Sequence, residues 1–240
     1  MIPNELTPWI EKVVAAVGLG KCEVCNRRMS SFEDQFGTRA CRTCAEADRC
    51  WACGGFAPAG RPPRCTRCIK SSVETAHDTE WAVPPVRQFV HSLGITMTNH
   101  CRVLLGTGQG AWSLDPSRLG HTLLVGASAL QVVEIRIAAG LPYTLFGRVL
   151  AHEMAHGWLA RFGSDREPAE EEGICELVGS WWLEDRGGPF AESLRQMMDD
   201  NPDPLYGGGF RRCAQIASGL SRRDVVKVIQ SRGRLTDPKR

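Results

Sequence analysis

Residues 150–163 read "LAHEMAHGWLARFG" and hold two histidines and a glutamate in an H-E-x-x-H arrangement. On a helix, His152 and His156 stand four residues apart on one face, so both imidazoles can reach a single ion. Glu153 lies one residue further round. It is poorly turned to ligate but placed to hold a metal-bound water and take its proton as the catalytic base. An ordinary helix carrying polar residues on its wet side is the competing explanation, and chance alone yields the pattern about once in a hundred such chains. Metal-assisted hydrolysis is the chemistry this spacing favours.

A catalytic zinc needs a third protein ligand and one coordination position left open. Soon after His156 comes "EPAEEEGICELVGSWWLEDRGG", which reads as a second helix opened by Pro168. The helix dipole favours acidic side chains in a first turn and accounts for Glu170 and Glu171. Glu172 and Glu176 share a face with Cys175 and Gly179, while Ile174, Leu177, Val178 and Trp181 occupy another. Small residues let that face approach the first helix. Glu172 is therefore the expected third ligand of a His-His-Glu site, with Glu171 as its rival. Glu176, one turn later, is the expected acceptor for the free N–H of a zinc-bound histidine.

A second chemistry lies upstream. Eight of the eleven cysteines fall between residues 22 and 68, as the pairs Cys22/Cys25, Cys41/Cys44, Cys50/Cys53 and Cys65/Cys68. A two-residue spacer lets one tight turn present two thiolates to the same ion, so four pairs imply two closed, structural zinc sites. Sequential grouping closes the shorter loops: Cys22, Cys25, Cys41 and Cys44 around one zinc, Cys50, Cys53, Cys65 and Cys68 around the other. Thiols used this way point to a reducing compartment, and the cytoplasm is the expected location. Cys101, Cys175 and Cys213 stand alone and read as small buried hydrophobes.

The cysteine-rich segment is also rich in arginine, but its charge argues against nucleic acid. Residues 1–75 carry eleven Lys+Arg and eight Asp+Glu, a formal +3. Each four-thiolate zinc site adds two positive and four negative charges, so two sites bring the total to −1, without the positive field that phosphate binding requires. A docking surface for protein partners is the better reading. No apolar run approaches the ~20 residues of a membrane span.

The elements that must position these residues follow from pattern. Residues 1–20 read as an amphipathic helix, 21–75 as the cysteine module and 76–240 as the catalytic domain. "VPPVRQFVHSLG" (83–94) reads as a short helix ended by Gly94. "CRVLLG", "HTLLVGAS" and "LQVVEIRIAAG" read as strands, the last alternating Val133, Ile135 and Ile137 with Glu134 and Arg136 as though one face were wet. The H-E-x-x-H helix starts near Pro142 and stops at Gly163. His77, His91, His100 and His121 are scattered and read as ordinary surface or satisfied residues. Together these make an α+β chain: a small sheet with active-site helices, preceded by a small metal module.

Further motifs then come into register. "GLP" at 140–142, "HEMAHGWL" at 152–159, "EEGIC" at 171–175, "WL" at 182–183 and "YGGGFR" at 206–211 resemble the DA-one family, plant LIM-domain peptidases that limit organ growth, and its bacterial relatives. The resemblance is dense from about residue 130 to 215, and the C-x-x-C pairs fit a LIM-like or zinc-ribbon module upstream. It implies a zinc-dependent endopeptidase of zincin-like fold and gluzincin type, with one catalytic and two structural zinc ions and a protein or peptide substrate. His152, His156 and Glu172 would be ligands, Glu153 the catalytic glutamate, and the LIM-like module a dock for partners or a regulator. Cys41 departs from the histidine usual in a LIM module, and five residues rather than two join its halves, so the module is divergent. The family's upstream ubiquitin-binding helices have no counterpart in residues 1–20, and activation through ubiquitin is not carried over. For the oxyanion, Tyr206 and Arg211 are the expected donors, on the view that the glycines between them let backbone approach a ligand. The strand near 131–138 is the expected partner of an extended substrate.

Overall fold

The computed structural model describes residues 20–29, 31–35, 38–47, 49–58, 63–97, 101–106, 119–126, 131–163 and 165–235. The helix expected over 1–20 lies outside the described residues except for Gly20, which begins a strand. His100 lies outside them as well. The chain divides into two compact units between Lys70 and Ser71.

The first unit is made of short pieces that turns hold in place. β1 (Gly20–Lys21) pairs antiparallel with β2 (Arg28–Met29), and β3 (Glu33–Gln35) with β4 (Thr38–Ala40). Two short helices follow, α1 (Arg42–Ala45) and α2 (Thr66–Lys70). After Cys22 the chain reverses tightly: Asn26 N–H donates to the Cys22 carbonyl at 2.8 Å, with Asn26 in the left-handed region at φ 60°. Asparagine tolerates that conformation better than most residues. The same turn recurs after Cys50, where Gly54 at φ 71° donates to the Cys50 carbonyl at 2.7 Å. Several arginines of this unit are used internally. Arg49 lies over the Phe56 ring and donates to Gln35 Oε1 at 2.6 Å, and Arg39 pairs with Glu23.

The second unit begins with β5 (Ser72–Val73), which pairs antiparallel with β9 (Leu141–Pro142). Helix α3 runs over Ala76–Ser92, well before the Val83 start that pattern suggests. Thr75 and Asp78 form a capping box that nucleates the earlier turns, and Pro84 and Pro85 sit on its exposed face. β6 (Arg102–Gly106), β7 (Gly120–Val125) and β8 (Gln131–Ala138) form a three-stranded sheet in the order β6-β8-β7, parallel at the first junction and antiparallel at the second. β8 is thus the central strand. Its supposed wet face holds Glu134 at 4% exposure, paired with Arg136 and, at 3.7 Å, with Arg102. A buried carboxylate needs such partners, which the alternation alone does not reveal.

Helix α4 (Tyr143–Leu159) carries the H-E-x-x-H motif, with Pro142 as its extended N-cap. One 3-10 turn over Ala160–Phe162 and Gly163 at φ 82° end it. The remaining helices are α5 (Pro168–Arg186), α6 (Pro189–Asp199), α7 (Tyr206–Ala217) and α8 (Arg222–Arg232). α4 is buried on almost every side. Phe146, Leu150, Trp158 and Leu159 are fully enclosed, each contributing roughly 1.5–3 kcal/mol by burial. Glycines let its neighbours come close: a Cβ at Gly147 would fall 2.3 Å from the Trp182 ring, and one at Gly157 2.4 Å from Val132. Trp182 is fixed there by its N–H to the Thr144 carbonyl at 3.1 Å. No helix among the described residues is long and apolar enough to cross a membrane.

Candidate metal centre

The close approach of α5 to α4 places three side chains on one point. A Cβ at Gly179 would lie 3.2 Å from the Arg148 carbonyl, so the small-residue face of α5 lies directly on α4. Across that contact, His152 Nε2 and His156 Nε2 are 3.1 Å apart, and Glu172 Oε2 is 3.4 Å from each. A tetrahedron of ligands at ~2.0–2.1 Å from zinc has edges of about 3.3 Å, close to this triangle.

The hydrogen bonding around the triangle shows what it wants. His156 Nδ1 lies 3.2 Å from Glu171 Oε1, and His152 Nδ1 lies 3.4 Å from Glu176 Oε1. A carboxylate only accepts, so each Nδ1 donates outward, and each Nε2 faces Glu172 with a proton or, towards a metal ion, a lone pair. Glu172 Oε2 is buried there without a hydrogen-bond partner. Three electron-rich atoms facing one another repel unless a cation, a metal ion or a proton, sits among them. The ionisation equilibria carry the same message. Burial disfavours charge on His152, but Glu172 and Glu176 outweigh it and raise its pKa above 6.5. His156 is raised as well, against burial, by Cys175, Glu171 and Glu172. Burial pushes Glu172 up, yet the two imidazoles hold it at about 2; Glu176, likewise buried, is held at about 2 by Arg148 and His152.

Glu171, the rival ligand, therefore contacts the outer nitrogen of His156, while Arg166 stands 3.8 Å from its other oxygen. Arg148 is a site residue that sequence reading missed. It sits one turn before His152 on α4 and is ion-paired with Glu176. Its i−4 spacing from His152 was the available signal.

A cleft of about 630 Å³ opens beside this point, lined by Gly120, Arg148, His152, Glu153, Asp203 and Tyr206 among others. Glu153 is buried at 6% exposure, and Thr122 on β7 donates to its Oε2 at 2.6 Å. Tyr206, the first residue of α7, is presented by a rigid turn in which Asp203 Oδ1 accepts from the Leu205 and Tyr206 amides at 2.8 and 3.0 Å. Arg211, the other expected oxyanion donor, has Nη1 engaged within the protein. Its guanidinium clamps the carbonyls of Asp199 and Asn201 at 2.7 and 2.8 Å, at the base of that turn. Two glycines of "YGGGFR" serve packing: a Cβ at Gly207 would lie 2.0 Å from the Asn201 carbonyl, and one at Gly209 2.2 Å from the Ala169 carbonyl on α5.

The first unit gathers its eight cysteines into two groups, Cys22, Cys25, Cys41, Cys44 and Cys50, Cys53, Cys65, Cys68, each able to hold a metal ion. Cys25 Sγ and Cys41 Sγ are 3.9 Å apart, and Cys53 Sγ and Cys65 Sγ 3.7 Å, against an edge of about 3.8 Å for sulfurs at ~2.3 Å from zinc. Amides point at the sulfurs: Cys25 and Cys41 N–H approach Cys22 Sγ at 3.5 and 3.3 Å. Burial raises the Cys22 thiol, but these amides bring it down to about 6. All eleven cysteines are free thiols, and Cys101, Cys175 and Cys213 are buried.

Comparison with known proteins shows what part of the chain is similar to. The model of the DA1-like family, described as Protein DA1, matches residues 121–196. That match and the relatives below support DA1 family membership for the matched region. Among its relatives, Protein DA1-related 7 of Arabidopsis thaliana is 31% identical over 132 residues, covering 42% of this chain and 24% of that protein. Protein DA1 of the same plant is 27% identical over 159 residues, covering 54% of this chain and 29% of its own length. The LIM domain-containing protein HDR3 of Oryza sativa subsp. japonica is 47% identical over 55 residues, covering 22% of this chain and 10% of that protein. The chain thus spans less than a third of the length of these relatives. No solved structure matches it. The DA1-like match includes β7 from His121 onward and all of α4 and α5, whereas Gly120 and Tyr206 lie outside it.

Proposed function

We propose that the second unit is a zinc-dependent endopeptidase of zincin-like, gluzincin type, with His152, His156 and Glu172 as ligands and Glu153 as general base. The observation that carries this reading is the orphaned, buried Glu172 Oε2 set 3.4 Å from two imidazole nitrogens beside a cleft that also holds Glu153. Zinc held by His152, His156 and Glu172 would supply Lewis acidity towards a water and a carbonyl oxygen. Glu153 takes the proton of the attacking water and returns it to the leaving amine. Glu176 and Glu171 fix the histidine tautomers by accepting from Nδ1, and Arg148 neutralises Glu176. Tyr206, on the cleft wall, is the proposed donor to the oxyanion.

An extended substrate would not pair with 131–138 as the sequence suggests, because β8 is bonded on both sides. β7 is an edge strand whose Gly120 lines the cleft, and it is the better candidate for β-augmentation. The cysteine unit is proposed as a LIM-like module holding two structural zinc ions and docking a protein partner, in keeping with a LIM-named relative. A cytoplasmic location follows from the same thiol chemistry. The test is cleavage of casein by the zinc-loaded protein and by Glu153→Gln. We expect the variant to keep its zinc and lose turnover; a variant that still cleaves would contradict the role of Glu153.

A further inference from the structure

Glu153 has a partner that its own helix does not supply. Thr122 Oγ1 lies 2.6 Å from Glu153 Oε2 and 2.9 Å from the Glu153 backbone carbonyl. A hydroxyl has one proton, and an ionised carboxylate can only accept. The shorter contact takes it, at the length of a charge-assisted O–H···O⁻ bond. Two residues earlier on the same strand, Gly120 has no side chain. A Cβ there would lie 2.5 Å from Glu153 Oε1 and 2.6 Å from Val149 Cγ1. One strand therefore holds the carboxylate twice, by a bond to Oε2 and by a bare backbone wall beside Oε1. Such a grip matters because a glutamate side chain that nothing holds samples many rotamers.

We infer that Thr122 is a positioning residue for Glu153, so that strand β7 both walls the cleft and sets the orientation of the proposed base. This rests on the peptidase reading above. Among the described lining residues of the cleft, β7 contributes Gly120 and not Thr122, so the threonine acts through the glutamate rather than on a substrate.

Thr122→Val removes the donor at nearly constant shape, and Thr122→Ser restores it. In the full-length, zinc-loaded protein acting on casein, Thr122→Val should lower kcat about 10- to 100-fold with KM within about twofold, because small misplacements of a reacting group cost that much. Zinc content should not change, and Thr122→Ser should recover most of the rate. Crystal structures of the two variants give a readout that needs no turnover: the Glu153 carboxylate should leave β7 in the valine variant and stay in the serine one. Gly120→Ala should displace the same carboxylate from its other side, with Thr122 intact. A valine variant with wild-type kcat and an unmoved Glu153 would overturn the inference. Should the wild-type protein cleave no casein, the peptidase reading fails on that arm, and the carboxylate positions still decide whether Thr122 holds Glu153.

Discussion

In the cysteine unit, each C-x-x-C pair comes from one tight stretch of chain, along with an amide that bonds a sulfur. In the second unit, the metal-facing atoms come from two helices and become a cluster only because glycine lets one lie on the other. The first arrangement is closed by four thiolates. The second offers three protein atoms, a buried glutamate and a cleft. The contrast separates ligand sets whose geometry is local from one whose geometry is tertiary.

The largest effect that would sharpen this contrast is catalytic. Glu153→Gln should lower turnover about 10²- to 10⁴-fold while every metal stays bound. Loss of zinc in that variant would blur the distinction between base and ligand. Next, Arg148→Met should weaken zinc binding at the His-Glu centre about 10- to 100-fold by freeing Glu176 from its partner, with no change at either cysteine group. Zinc titration against a competing chelator reads both.

The pH dependence should also divide the two units. Glu172 and Glu176, held at about 2 against an ordinary 4.5, contribute stability that is present above pH 4.5 and lost as pH falls towards 2. His152 and His156, raised above 6.5, contribute stability that is present below pH 6.5 and lost as pH rises through their folded values. The metal-free second unit should therefore be most stable between pH 4.5 and 6.5. Zinc needs neutral imidazoles, so it should raise Tm more at about pH 8 than at about pH 6. An equal gain at both would place the ion elsewhere.

The smallest effect is mechanical. Gly173→Ala puts a Cβ 2.4 Å from the Gly209 carbonyl and should cost about 1–3 kcal/mol, read as a lower Tm of the second unit. Unchanged stability would mean that α5 and α7 are not locked as described.

What could be read from sequence tracks this same division. The cysteine grouping follows from spacing because the turns after Cys22 and Cys50 are built by their own residues. The His152/His156 pair is legible for the same reason, being one helical turn. Glu172 is legible only through the small-residue face around Gly179, which signals a helix contact without naming its partner. Thr122 is not legible at all, since its meeting with Glu153 depends on the register of a strand 31 residues away. The centrality of β8 was hidden by its parallel pairing with β6, a non-local contact that alternation does not encode. Gly207 and Gly209 signal close approach, but sequence alone does not say that the backbone they admit belongs to the 201 turn and to α5.

The most direct measurement is the zinc content of the purified full-length protein beside its His152→Ala and Glu172→Ala variants. The account predicts three zinc ions per chain in the wild type and two in each variant, with the thiols still protected from modification. A wild type holding only two, or variants that keep three, would contradict a metal centre shared by α4 and α5.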